Sequence, residues 1–327
     1  MLRFFRTVGP AGLLLLLLYT IAFAVHVYLY PVTSSQTLTF TEGLFYHRLL
    51  QLDRLSHPWN LIPALLLLLI TAYLLALASA RSGLSHHTNL FPALAFIGLF
   101  FLLPDQPLSL PGVLPATLLI LMWLSAVRTY NTIHADRTLF DVGLLAGILS
   151  WLQPTYLLLL PVAVFAVVRL RTLGLRQVLV ILSGTLLVHF LLDVLLYFFY
   201  LEEGLLTMYS NLRADLVLPS GDLQAWIQVS VAVIYVIGGL FFTLGSSGAQ
   251  PVFFRRASAV WVYSLVATVL LFILQPGSGT GLPVMMIASG AVFTSWWWQE
   301  LKNREAASIL FISLLALVFV CQYITFT

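Results

Sequence analysis

Few side chains in this sequence are equipped for chemistry, and most of them fall in two places. Glu42 and Asp53 share one polar stretch with Arg48 and Arg54, while His189 and Asp193 lie four residues apart inside a long apolar run. A carboxylate can serve as a general base toward a hydroxyl acceptor, and an arginine offers a planar fork of donors to a phosphate. A His and an Asp at positions i and i+4 share one helix face, and an acid within an apolar helix is by default a candidate functional group. His26, in the outer third of the first apolar stretch, and Arg213, in a second polar stretch, complete the set. Asp53 and Glu42 are the catalytic candidates, with Asp193, His189, His26, Arg48, Arg54 and Arg213 as substrate-binding ones.

Each candidate also has an ordinary reading. Thr39-Phe40-Thr41-Glu42 fits a capping box, in which the carboxylate satisfies a backbone N–H at a helix start. Asp53 can pair with Arg54 or His57, and Asp193 can reach water near the outer surface with His189 as a packing partner. Glu42 and Asp53 are eleven residues apart, roughly 16 Å along a helix, too far for a tight acid/base pair. Elsewhere, Arg128 to Asp141 holds His134 and Asp136 without metal-ligand spacing, and Thr138-Leu139-Phe140-Asp141 has the form of a cap. No metal site is expected. The chain has no phosphate-binding Walker sequence, no dinucleotide fingerprint and no serine elbow, and its one cysteine, Cys321, is expected to pack among apolar groups.

The elements that must position these groups are set by composition. Hydrophobic residues make up 61% of the 327 residues, charged residues 8%, and mean hydropathy is +1.01. A water-facing surface cannot be built from so few charges, and the lack of strict alternation excludes barrel strands. The expectation is an all-α, polytopic transmembrane helical bundle in a single integral-membrane domain, with about eleven spans of about 20 residues or fewer. The spans run 10–30, 60–80, 90–103, 110–126, 139–152, 155–168, 178–200, 225–244, 257–274, 282–298 and 307–323. An amphipathic helix over 39–55 lies on the membrane surface in the first long loop, 31–58. The second long loop is 201–224.

Residues 141–170 read as one long helix or as two short ones broken at Gln153-Pro154. Loop charge decides. Two short helices with the N-terminus inside place twelve of the fifteen Lys and Arg on the cytoplasmic side, namely Arg3, Arg6, Arg81, Arg128, Arg137, Arg169, Arg171, Arg176, Arg255, Arg256, Lys302 and Arg304. A single span there gives six against nine. The broken form therefore stands, with a cytoplasmic N-terminus, an outer C-terminus and both long acidic loops outside, as in a bacterial inner membrane. Trp123, Trp261 and Trp296-Trp297-Trp298 then fall near one interface and Trp59, Trp151 and Trp226 near the other, as an aromatic belt requires. The net charge of +3 follows from the cytoplasmic loops and gives no nucleic-acid partner.

The segment Leu139-Phe140-Asp141-Val142-Gly143 through Gly147 and Trp151-Leu152-Gln153-Pro154, continuing to Arg169-Leu170-Arg171 and Ser183-Gly184, resembles an uncharacterised integral-membrane family of Bacteroidota. More distantly it resembles the core of GT-C type glycosyltransferases, in a paired short-helix unit covering about fifty residues. That resemblance implies a polyprenyl-phosphate sugar as donor, an acidic base or ligand in the first outer loop, and Glu42 or Asp53 in that role. It departs from the family by lacking an adjacent acidic pair and a large outer domain. Two other readings stay open: a transporter or lipid-handling protein using His189 and Asp193 as a protonatable pair, and a non-enzymatic scaffold subunit. Membrane lipids are the partners common to all three.

Overall fold

A computed structural model of the chain describes residues 9–29, 61–85, 89–103, 108–132, 134–172, 174–198, 223–246, 248, 250–274, 281–301 and 304–323. Among these there is no strand, and the protein is all-α. The helices are α1 (Pro10–Leu29), α2 (Leu61–Arg81), α3 (Phe91–Leu102), α4 (Leu110–Arg128), α5 (Asp136–Leu152), α6 (Leu159–Leu170), α7 (Leu175–Phe198), α8 (Leu223–Ser246), α9 (Val252–Leu274), α10 (Gly281–Glu300) and α11 (Arg304–Tyr323). Five carry segments long and apolar enough to cross a membrane: Leu61–Arg81, Leu110–Arg128, Leu175–Leu195, Trp226–Ser246 and Val252–Leu274. The outer surface matches that use. Phe165, Leu186, Phe190, Ile234, Phe241 and Ile309 are 64–73% exposed, an apolar exterior that water would not tolerate over so many helices.

At the centre lie α3, whose every residue is buried, and α10, buried on nearly all sides. α10 packs against α3, α4, α8, α9 and α11. Helices in an apolar solvent gain little from burying apolar surface against one another, so hydrogen bonds and close packing carry more of their association. Accordingly, Trp123 Nε1 donates to Ser264 Oγ over 2.7 Å, and Ser264 Oγ lies 2.7 Å from Ser289 Oγ, which donates to the Met285 carbonyl. This relay ties α4, α9 and α10 together through groups that are all buried. Thr71 and Thr117 join α2 to α4 at 2.6 Å, and Tyr235 and Ser313 join α8 to α11 at 2.6 Å.

The break at Pro154 is a reversal. α5 ends at Leu152, Pro154–Leu158 forms a 3-10 turn, and α6 returns. Arg171, after α6, donates to the Thr132 carbonyl just before α5, and Arg256 at the start of α9 donates to the Leu170 carbonyl. Tyr130 stacks near Phe253, Asn89 donates to Gln299, and Asp136 pairs with Arg176. These contacts gather the segments near residues 82–90, 129–136, 169–176, 250–256 and 299–301 at one end of the bundle. Every described arginine lies in or beside that end. The opposite end collects Phe23 against Phe101, Gly281 against Tyr156 and Pro115, and Gln228 against the Cys321 carbonyl.

Two local expectations change. α5 begins at Asp136, after Ala135, so Thr138 is already helical and donates to the Ala135 carbonyl instead of capping the helix. Trp123, Trp261, Trp296 and Trp298 are buried in the bundle and do not face a membrane interface; Trp261 Nε1 donates to Ser82 and Trp296 Nε1 to Ser246. Cys321 is buried, as expected.

Candidate functional site

Among the described residues, α5 and α7 lie side by side and parallel in close contact. Gly143, Gly147 and Gly184 make it possible. A Cβ on Gly143 would overlap the Ile181 carbonyl oxygen, one on Gly184 would sit 2.5 Å from the Phe140 carbonyl oxygen, and one on Gly147 would sit 2.8 Å from Val188 Cβ. Glycine is needed here because backbone meets backbone. The approach places the Thr185 hydroxyl 2.9 Å from the Gly143 carbonyl, to which it donates across the seam.

His189 continues the same seam one turn further along. Its Nδ1 lies 2.9 Å from the Thr185 carbonyl oxygen, which can only accept, so Nδ1 carries hydrogen. Its Nε2 lies 3.2 Å from Ser150 Oγ, and Ser150 Oγ lies 2.7 Å from the Gly147 carbonyl. With a neutral ring, Ser150 donates to Nε2. With a protonated ring, Nε2–H donates to Ser150 Oγ and the Ser150 hydroxyl turns to the Gly147 carbonyl.

Asp193 takes a different direction. It is exposed, on the stripe of α7 that also carries Leu186, Phe190 and Tyr197 and that faces away from α5. The offset of one helical turn from His189 is about 40°, enough to move the side chain from the edge of the seam onto the outer surface. An enclosed cavity with Asp193 in its wall is therefore not what α7 provides. Asp193 lies within about 8 Å of Phe198, the last described residue of α7. By the pairing of Ser150 with His189, it stands level with the Gln153-Pro154 break of α5.

That break holds polar groups the sequence reading passed over. Gln153 and Thr155 are each 5% exposed, and Gln153 Nε2 and Thr155 Oγ1 have no hydrogen-bond partner among the described residues. Buried polar atoms of this kind each cost about 1–3 kcal/mol unless a polar group meets them. The signal in the sequence was the polar pair around Pro154, read there only as a helix breaker. The end of the α5–α7 seam thus assembles Ser150, His189, Gln153 and Thr155 inside and Asp193 outside. His26 belongs to α1, though its side chain lies outside the described residues, as do Glu42, Arg48, Asp53, Arg54 and Arg213 entirely. The surface helix over 39–55 is likewise outside them. No group of three or more His, Cys, Asp and Glu suited to a metal ion occurs among the described residues. Comparison with known proteins returned no match: no family model, no curated protein and no solved structure.

Proposed function

We propose that the chain is an integral membrane protein of a bacterial inner membrane that transfers a sugar from a polyprenyl-phosphate donor at the non-cytoplasmic end of its bundle, in the manner of GT-C type enzymes. The observation that carries this reading is the position of Asp193. A carboxylate on an exposed apolar and aromatic stripe near the last described turn of α7 supports this reading, because such a placement suits contact with the headgroup of a bilayer-embedded lipid. The helix ends that flank residues 30–60 and 199–222, which contain Glu42, Arg48, Asp53, Arg54 and Arg213, lie at the end opposite the arginines, which supports assigning those residues to the same end as Asp193.

In this mechanism the acceptor hydroxyl loses its proton to Asp53, and its oxygen forms a bond to the anomeric carbon of the sugar. The bond from that carbon to the phosphate oxygen breaks, and the polyprenyl phosphate leaves with the electron pair. Arg48, Arg54 and Arg213 hold the departing negative charge, while Asp193 and His26 accept from or donate to the sugar hydroxyls. Glu42 holds the start of the loop helix or shares the proton. The span count of about eleven and the inward N-terminus belong to the same proposal.

A second reading has its own observation: His189, an ionisable residue in a helix long and apolar enough to cross a membrane, is bonded through both ring nitrogens, to the Thr185 carbonyl and Ser150 Oγ, as a transport-linked site would hold it. Turnover separates the two. In purified protein supplied with a polyprenyl-phosphate sugar and an acceptor, Asp53→Asn should lower transfer about 100-fold or more. Glu42→Gln, which can still close a capping box, should lose little if Glu42 is structural. A folded wild-type protein without transfer activity sinks the transferase reading, and wild-type rates in both variants remove its base from this loop.

A further inference from the structure

We infer that the arginine-rich end of the bundle carries a binding site for one anionic phospholipid, formed where α6 ends against α9. Arg169 lies in the last turn of α6, Arg171 directly follows it, and Arg256 reaches its final carbonyl from α9. Arg169 Nε donates to the Tyr263 hydroxyl over 3.0 Å, Arg256 Nη1 donates to the Leu170 carbonyl over 3.3 Å, and Arg171 Nη1 donates to the Thr132 carbonyl over 3.2 Å.

None of these acceptors is a carboxylate. Nearby, Arg176 pairs with Asp136 at 2.9 Å, and that carboxylate is engaged there and not with Arg169, Arg171 or Arg256. Each of the three spends one of its five N–H donors on a neutral oxygen that fixes its position, and none forms a salt bridge with a carboxylate among the described residues. Arg171 Nε is in addition buried without a hydrogen-bond partner. Fixed forks of this kind are the arrangement that suits a phosphate diester, because arginine binds it through paired donors and little ordering cost remains.

The occupant follows from what lies beside the charges. Phe165, one turn from Arg169 on the same face of α6, is 68% exposed, and Val168, Val252 and Val266 are 47–50% exposed on α6 and α9. Acyl chains cover such residues while a headgroup phosphate meets the guanidinium groups above them. A free phosphate gains nothing from the apolar shoulder, and a zwitterionic lipid brings a cation toward three arginines. An anionic diacyl lipid satisfies both halves of the site.

The test uses the full-length protein in detergent, titrated with phosphatidylglycerol, phosphatidylcholine or inorganic phosphate and read by native mass spectrometry for the concentration at half occupancy. Phosphatidylglycerol should bind preferentially and resist inorganic phosphate. One basic residue near an anionic lipid is worth roughly fivefold in affinity, so R169Q/R256Q should weaken binding about 25-fold. R169K/R256K keeps the charge and should retain most of the preference, which guards against mistaking misfolding for loss of the site. Arg81→Gln, at the same end on α2, should leave half occupancy within about twofold. The site is refuted if phosphatidylcholine binds equally well, if inorganic phosphate displaces the lipid, if R169Q/R256Q retains wild-type affinity, or if Arg81→Gln weakens binding as much as the double variant.

Discussion

Replacing Gly143 with alanine tests the α5–α7 seam most directly. The added methyl would overlap the Ile181 carbonyl oxygen, and neither partner can swing away because both belong to helix backbone. The helices must separate by about 1 Å or more, at a cost typical of overpacking, about 1–3 kcal/mol. Separation also stretches the Thr185–Gly143 hydrogen bond, and such interhelical bonds contribute about 0.6 kcal/mol on average and at most about 1.7 kcal/mol in membrane proteins. Against this, alanine favours the helix over glycine by about 0.8–1 kcal/mol. The balance is a net loss of roughly 1–4 kcal/mol. Gly245 in α8 is the internal standard, since a Cβ there meets nothing within 4 Å, and Gly245→Ala should be neutral or stabilising by up to about 1 kcal/mol. Reversible unfolding of the two variants in mixed micelles, at matched detergent composition, gives both numbers. If Gly143→Ala proves as stable as wild type or matches Gly245→Ala, backbone contact at this seam is refuted.

The buried relay from Trp123 through Ser264 to Ser289 should respond as a coupled unit. Ser264→Ala leaves the Trp123 N–H without its acceptor and should cost about 1–3 kcal/mol, whereas the same substitution in a Trp123→Phe background should cost about 0.5–1.5 kcal/mol less; strict additivity in the cycle would disprove the bond. The sidedness follows from charge: single cysteines near Gly174 should react with an impermeant thiol reagent only from the cytoplasm and those near Ser220 only from outside, and the reverse pattern would overturn the reversal at Pro154.

Apolar run length and loop charge were enough to find the helices, because long apolar runs admit no other backbone in lipid. The segment expected over 90–103 is helical as α3 at Phe91–Leu102, too short to cross a membrane alone, and the choice of two short helices around Gln153-Pro154 rested on arginines that do gather at one end. Starts were less legible: Asp136 opens α5 three residues before the expected Leu139, since a polar residue in a first turn looks like loop until its helix is seen. Partner choice was not legible at all. Gly143, Gly147 and Gly184 stood out as motif residues, yet their meeting across the seam depends on α6 carrying the chain back between them. The tryptophans misled for a related reason. A Trp near a span end reads as an interface anchor, and only the facing Ser82, Ser246 and Ser264 show that the indole N–H groups of Trp261, Trp296 and Trp123 are satisfied inside. At the candidate site, the sequence marked His189 and Asp193 as one pair, and a 40° step around α7 sends them to different surroundings.

The burial of α3 has a consequence for how the protein is made. With twelve residues this helix extends about 18 Å, well short of the roughly 30 Å of hydrocarbon it would have to cross alone. It has no side turned to lipid, and its walls include α10 and α11, which leave the ribosome some 180 residues later. Until those helices arrive, α3 has no stable place in the bilayer, so the N-terminal half must be held in a provisional arrangement during synthesis. Completion of the C-terminal helices then settles the position of an early one, and a chain truncated before Gly281 would present α3 to the cell's quality-control proteases as an unfinished product.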